Sequence, residues 1–183
     1  MNMAKKTKGE KGRRGEGENE KIRIGWFSFS CCEDNTIVMT EIMNDHWEEW
    51  REMFHFVHAR VLQRKNEMGP MDIAFVEGAI AKEEQAKAVR EIRENCKLLV
   101  AVGSCAVTGM PSAQRNTFSD DKKEKLDMFI ERFGHLDKVL KVSEVVKVDA
   151  EIPGCPMAPA KFLETVNMAV GKIMEERGSG EKG

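Results

Sequence analysis

Residues 97–106 read Lys97-Leu98-Leu99-Val100-Ala101-Val102-Gly103-Ser104-Cys105-Ala106. The apolar part of this stretch is nearly continuous, which is typical of a strand that is buried on both faces of a parallel sheet. The run stops at Gly103, so Cys105 falls in a loop at the carboxyl end of the strand. Ligands of open α/β sheets bind at that edge. The stretch therefore predicts an α/β fold and also the edge at which its function lies.

Other segments of the chain repeat this arrangement. Residues 22–29 predict a strand that runs into the tandem pair Cys31-Cys32, and residues 71–76 predict a strand that ends in Glu77-Gly78. Residues 54–62 alternate well enough for an edge strand, and residues 139–148 for a short strand or extended arm. Helical spacing of apolar residues predicts a helix that Asp34 or Asn35 caps, followed by helices over 82–95, 122–133 and 160–177. This alternation predicts an open parallel sheet with helices on both faces.

The composition indicates a single ordered domain between two tails. Residues 1–20 read MNMAKKTKGEKGRRGEGENE and contain only Met and Ala as apolar types. Such a segment buries too little apolar surface to offset the entropy of ordering, so we expect a disordered charged tail. We expect the ordered domain to span residues 21–177, and residues 178–183 to form a flexible C-terminal tail.

Charge and hydropathy exclude several classes of function. The formal net charge of -2 offers no field for a polyanion, so nucleic acid is not an expected partner. No segment approaches the roughly 18 consecutive apolar residues of a membrane helix, and Arg13-Arg14 is not followed by the apolar stretch of an export signal. We therefore expect a cytoplasmic protein, where five cysteines serve as thiols or metal ligands rather than disulfides.

Four of the five cysteines are predicted to lie at one edge of the sheet. They are Cys31, Cys32, Cys105, and Cys155 in the segment Pro153-Gly154-Cys155-Pro156. The two prolines restrict the backbone on both sides of Cys155 and so present its sulfur at a set angle. A four-iron cluster requires four thiolates, which here would come from three loops. The spacing alone leaves three interpretations open: an iron–sulfur cluster, a structural zinc site, or unligated thiols.

The fifth cysteine, Cys96, follows a predicted helix and precedes a predicted strand. Free cysteine is commonly a small buried residue, so we interpret Cys96 as structural.

Taken together, four motifs resemble a known family. They are Ile24-Gly25 leading to Cys32-Glu33, then Phe75-Val76-Glu77-Gly78, Val102-Gly103-Ser104-Cys105-Ala106 and Ile152-Pro153-Gly154-Cys155-Pro156. In this order, and over about residues 21–175, the chain resembles the small, electron-transferring subunit of [NiFe] hydrogenases. It is also similar to the cluster-bearing quinone-side subunit of respiratory complex I.

The resemblance implies a flavodoxin-like fold and one [4Fe–4S] cluster that faces a large catalytic subunit. Cys105 and Cys155 match family ligands directly, and Cys32 matches the second cysteine of the hydrogenase C-x-x-C-E pattern. The first cysteine of that pattern would fall at Phe29. The adjacent pair Cys31-Cys32 instead resembles complex I, in which tandem cysteines both bind the cluster.

Two acids accompany the cysteine motifs. The resemblance implies that Glu33 and Glu77 polarise the subunit interface or relay protons. The residues themselves allow a simpler interpretation, in which Glu33 is an acid at a helix N-terminus and Glu77 is a buried acid at a strand end.

The resemblance implies an electron-transfer subunit of a cytoplasmic hydrogenase-like oxidoreductase, with no substrate catalysis of its own. Its expected partners are a large [NiFe]-hydrogenase-like subunit and further iron–sulfur or flavin subunits. The sequence has no cysteine-rich C-terminal extension, so we expect a single cluster. One alternative is a complex I-like connector, peripheral on the cytoplasmic face of a membrane complex. The others are a zinc-stabilised assembly module and a flavin- or nucleotide-binding domain, although no G-x-G-x-x-G or P-loop motif is present.

Overall fold

The computed structural model describes residues 21–180, so the predicted tail 1–20 and residues 181–183 lie outside the described part. The first half of that part contains β1 (Ile22–Ser28), α1 (Asp34–Asp45), α2 (Trp47–Met53), β2 (Phe54–Ala59), β3 (Met71–Glu77), β4 (Ile80–Lys82) and α3 (Glu83–Glu94). The second half contains β5 (Cys96–Val102), α4 (Gly103–Thr108), a 3₁₀ helix (Gln114–Thr117), α5 (Asp120–Arg132), β6 (His135–Leu140), a 3₁₀ turn (Val142–Glu144), β7 (Ala150–Ile152) and α6 (Pro159–Gly180).

The main sheet has five strands in the order β2-β1-β3-β5-β7. Every neighbouring pair in it is parallel, with β2 at one edge and β7 at the other. Counted among the strands of this sheet alone, the order is 2-1-3-4-5, the doubly wound order of flavodoxin. The predicted fold class is confirmed.

Helices cover both faces of the sheet because successive residues of a strand point to opposite sides. On β3, Ile73 and Phe75 pack into one core with residues of α1, α2 and α6. Their neighbours Ala74 and Val76 pack into a second core with residues of α3. Both cores are therefore anchored on the same central strand, which is buried along its whole length.

A small two-stranded sheet differs from the prediction. β4 pairs antiparallel with β6, and Ile80 of β4 is fully buried. The strand or arm predicted over 139–148 is instead the strand β6 over 135–140, which lies earlier in the chain. Local alternation did not reveal it, because its pairing partner is the distant strand β4.

Three helices also differ in detail from the prediction. Residues 103–108, predicted as loop, form the short helix α4, which starts at Gly103 with φ of 82°. Helix α5 forms as predicted, but none of its residues is buried. Helix α6 continues past Arg177 to Gly180. Between residues 21 and 180, no helix combines the length and apolarity that a membrane span requires.

An aromatic cluster fastens α6 to the sheet. Phe162 is 2% exposed, and its ring centroid lies 5.6 Å from that of Phe75, 6.1 Å from that of Trp26 and 6.2 Å from that of Trp50. Because α6 directly follows the Cys155 segment, this packing also fixes where that segment ends.

We expect Phe162→Ala to lower the free energy of unfolding by about 3–5 kcal/mol, because it leaves a cavity among three aromatic rings. Urea denaturation of the metal-free chain measures this change. The control is Met168→Ala on the same helix, where the side chain is 46% exposed and a change within about 0.5 kcal/mol is expected. Equal losses for the two variants would contradict the assignment of Phe162 to the core.

Candidate metal centre

Three strands of the sheet deliver the four predicted ligand cysteines. β1 ends at Ser28 and leads to Cys31 and Cys32, while β5 ends at Val102 and places Cys105 in the first turn of α4. β7 ends at Ile152 and leads to Cys155. Because these strands are parallel, their carboxyl ends lie at the same edge of the sheet.

The structure brings the four thiols into one group. Cys31 packs against the small core that contains Cys105, and Cys105 and Cys32 contribute to the raised pKa of its thiol. Cys32 and Cys105 also contribute to the raised pKa of the Cys155 thiol. The fifth cysteine, Cys96, is the first residue of β5 and therefore lies at the amino ends of the parallel strands, opposite the other four. It is buried in a different core.

The four thiols differ in their exposure to solvent. Cys105 is 8% exposed and Cys31 is half-buried, whereas Cys32 and Cys155 are exposed. The candidate site is therefore buried at Cys105 and open to solvent at Cys32 and Cys155.

The surroundings favour the neutral form of two of these thiols. Burial is the main cause that raises the pKa of Cys31 to about 12, and the charges of Glu77, Cys105 and Cys32 act in the same direction. Desolvation also raises the pKa of Cys155, with further contributions from Cys32, Cys105 and Asp34. Ligation of a metal must displace these protons, so binding to this site is coupled to proton release.

Glu77 is the buried acid behind the cysteines. It is fully buried at the end of β3, and each of its two carboxylate oxygens accepts two hydrogen bonds. The donors are the backbone N–H of Asn35 at 3.1 Å, its Nδ2 at 2.9 Å, the Thr36 hydroxyl at 2.6 Å and the Ser28 hydroxyl at 3.4 Å. The carboxylate thus caps the N-terminus of α1, where a negative charge is favourable.

The two acids predicted as site residues occupy different environments. Glu33 is exposed, immediately before α1, in the left-handed conformation with φ of 63°. Glu77 is interior, so a role at a subunit interface would have to act through the residues between it and the surface. The roles of both acids in polarising an interface or relaying protons remain predictions.

Direct hydrogen bonds join the three cysteine loops. The Ser104 N–H donates to the Gly154 carbonyl at 2.7 Å, and the Met157 N–H donates to Asn35 Oδ1 at 2.8 Å. The Ser112 hydroxyl lies 2.8 Å from the Ser30 carbonyl and 3.3 Å from Cys105 Sγ. The sequence did not reveal Ser104, Ser112 or Met157, and it indicated Asn35 only as a possible helix cap, because no local pattern marks a side chain that bonds across the fold.

Two glycines permit the tight packing of these loops. A Cβ at Gly78 (φ 94°) would lie 2.9 Å from the backbone of Phe29 and Ser30, beside the tandem cysteines. A Cβ at Gly154 (φ 130°) would lie 2.5 Å from the Pro156 carbonyl oxygen. The Cys155–Pro156 peptide bond is cis. Both positions therefore require glycine to let backbone approach backbone.

The donor set of the candidate site consists of thiols. Within residues 21–180, no group of three His, Cys, Asp or Glu side chains is arranged to hold a single metal ion. A four-iron cluster takes four thiolates, each on a different iron. Four thiols around one site are the ligands that such a cluster takes.

Known proteins resemble the chain in both sequence and fold. Residues 32–169 match the family described as NADH ubiquinone oxidoreductase, 20 Kd subunit. The NAD-reducing hydrogenase HoxS subunit delta of Cupriavidus necator is 37% identical over an alignment of 105 positions, which covers 46% of this chain and 48% of that protein. The gamma subunit of the coenzyme F420 hydrogenase of Methanosarcina barkeri is 27% identical over an alignment of 158 positions, which covers 81% of this chain and 54% of that protein.

A solved structure has the same fold. The crystal structure of an NAD+-reducing [NiFe]-hydrogenase in the H2-reduced state contains a chain that superposes with a TM-score of 0.69 and 26% identity. The match covers 82% of this chain and 92% of that one. By contrast, this chain spans about half the length of the curated relatives it matches.

The raised pKa of Cys31 predicts a pH dependence of the metal-free chain. Between the ordinary value of 9.0 and about 12, the unfolded chain has lost the Cys31 proton while the folded chain retains it. The unfolded state then binds fewer protons, so the free energy of unfolding falls as pH rises through this window.

We expect Cys31→Ser to remove part of this loss, measured by anaerobic urea denaturation at pH 8 and pH 10. The comparison variant is Cys96→Ser, because burial raises the pKa of that remote thiol to about 11 and gives a slope of the same sign. A Cys31→Ser variant with the full wild-type pH slope would contradict the buried, neutral thiol.

Proposed function

Because the chain belongs to the NADH ubiquinone oxidoreductase 20 kDa subunit family, we propose that it is an electron-transfer subunit that carries a single [4Fe–4S] cluster. In this proposal the cluster lies beside the active site of a larger catalytic subunit, in a cytoplasmic hydrogenase-like oxidoreductase complex. Hydrogenase subunits among the relatives support this choice of complex.

One observation carries the proposal: four thiols from three separate segments lie at the carboxyl ends of the strands of a single parallel sheet. Cys31, Cys32, Cys105 and Cys155 would each bind one iron of the cluster. When bound, the cluster would accept and release single electrons. The chain itself would hold the cluster, shield its inner side and set its surroundings through burial and hydrogen bonds.

The open side of the site supports a large partner at this edge. Cys32 and Cys155 are exposed there, and so is Glu33. Ile37, one helical turn into α1, is 53% exposed. A partner docked on this edge would bury apolar and thiol surface together and would bring its own active site next to the cluster.

The tandem cysteines favour a second candidate within the same family. The adjacent pair Cys31-Cys32 is the arrangement found in the complex I-type subunit, as the sequence motifs implied. In that case the chain connects electron transfer to a membrane-associated complex, and its large partner does not carry nickel. The identity of the partner separates the two candidates.

We expect the anaerobically reconstituted chain to contain about four irons and to absorb broadly near 400 nm. Cys105→Ser and Cys155→Ser should abolish this absorbance, because each removes a thiolate from the site. Cys96→Ser is the matched control and should load as well as wild type, since Cys96 lies in a core away from the site. Iron and labile-sulfide analysis provides the measurement.

Two results would contradict this assignment. One equivalent of zinc without colour would favour a zinc-stabilised assembly module over an electron carrier. Full loading of Cys31→Ser would show that Cys31 is not the fourth ligand.

We also expect anaerobic affinity purification to recover a large subunit with two C-x-x-C pairs, the nickel ligands of hydrogenases. The matched bait is a Glu33→Arg, Ile37→Glu variant, which changes only exposed positions at the proposed docking edge and should lose that partner while it keeps its cluster. A recovered large subunit without the C-x-x-C pairs would favour the complex I-like candidate. Equal recovery with both baits would place the docking surface elsewhere.

A further inference from the structure

Asn35 contacts every segment that carries or supports a ligand cysteine. It is the second residue of α1, three residues after Cys32, and is 6% exposed. Its Nδ2 donates to Glu77 Oε1 at 2.9 Å, and its Oδ1 accepts from the Met157 N–H at 2.8 Å. Met157 lies two residues after Cys155. One buried amide therefore joins the Cys31-Cys32 segment, the end of β3 and the Cys155 segment.

The fourth contact is made with the Cys105 segment. A Cβ at Gly103 would lie 2.2 Å from Asn35 Nδ2 and 2.9 Å from its Cγ. No side chain fits between these two residues, so the Asn35 amide packs directly on the backbone from which α4 starts. Cys105 follows two residues later.

The chemistry of these contacts requires an amide at position 35. The Met157 N–H can only donate, and Glu77 Oε1 accepts the hydrogen bond from Asn35. A single side chain must therefore offer an acceptor on one branch and a donor on the other, at nearly the same distance from the backbone. Aspartate has the same shape but would set a second carboxylate against Glu77, and the two like charges would repel.

We propose that Asn35 is the positioning residue that holds the three cysteine-bearing loops in register for the cluster, an inference that rests on the proposed function. It acts through the backbone of Met157 and Gly103 and through Glu77, and touches no iron itself. Groups of this kind orient metal ligands, and their loss typically weakens metal binding about 10- to 100-fold.

The first test compares Asn35→Ala and Asn35→Asp in the reconstituted chain. We expect Asn35→Ala to release iron to a chelator about 10- to 100-fold faster than wild type and to change the EPR line shape of the reduced cluster. Asn35→Asp keeps an acceptor for the Met157 N–H and loses only the donor to Glu77. The Asn35→Asp variant should therefore release iron faster than wild type but more slowly than Asn35→Ala. Its added negative charge should lower the midpoint potential of the cluster.

The matched control is Asn116→Ala. Asn116 also bridges two segments with one donated and one accepted hydrogen bond, and both of these bonds go to the backbone of Val139 rather than to a cysteine-bearing segment. It should reduce thermal stability while leaving the EPR line shape and the midpoint potential of wild type. If Asn35→Ala behaves like this control, the proposal is overturned and Asn35 is only a structural residue.

The second test does not depend on the cluster. Gly103→Ala introduces a Cβ into the Asn35 amide and is also strained by the φ of 82°. Removal of the Asn35 side chain relieves the collision but not the backbone strain. Gly103→Ala should therefore lower the melting temperature of the metal-free chain less in the Asn35→Ala background than in wild type. Equal decreases in melting temperature in the two backgrounds would contradict the contact between Asn35 and Gly103.

The two tests separate the failure of this inference from that of the proposed function. If wild type takes up no iron while the Gly103 and Asn35 variants are coupled in stability, the contact stands and the electron-transfer function fails. If wild type loads about four irons and Asn35→Ala matches it in EPR line shape, potential and release rate, the function stands and the positioning role fails.

Discussion

The buried carboxylate of Glu77 is the constraint on which the site depends. A carboxyl group taken out of water is costly unless its hydrogen-bonding capacity is met inside the protein. Here both oxygens are saturated by donors from β1 and α1. To satisfy this one acid, the start of α1 must sit directly against the end of β3, and that contact fixes where the tandem cysteines leave the sheet.

The same network extends beyond Glu77 in two directions. Thr36 donates to the carboxylate and accepts a hydrogen bond from the indole of Trp26, which belongs to the aromatic cluster around Phe162. The Asn35 amide links the Glu77 carboxylate to the backbone N–H of Met157. Polar and apolar packing therefore converge on the first turn of α1, and the electron-transfer proposal needs this turn to be rigid because three loops have to meet there.

The fold was predictable where burial leaves a pattern in the sequence. The apolar run that ends at Val102 and the buried strand that ends at Glu77 identified the sheet, its parallel direction and the edge that carries the cysteines. The α4 helix was not predictable, because six residues contain too few turns to show a period. Pairing of β4 with β6 also left no local trace. The role of Asn35 depends on a bond to a residue 122 positions away, and such a contact is created only by the tertiary fold.

The unequal exposure of the four sulfurs has a consequence for assembly in the cell. Cys105 is buried and Cys31 is half-buried, so under the proposed function a preformed cluster would reach them through the side on which Cys32 and Cys155 are exposed. A large partner on that edge would close the entrance. Cluster insertion would then have to precede docking, and the isolated, loaded chain would be the stage at which oxidants and chelators have access. Docking of the large partner would thus enclose the cluster and complete the maturation of the subunit.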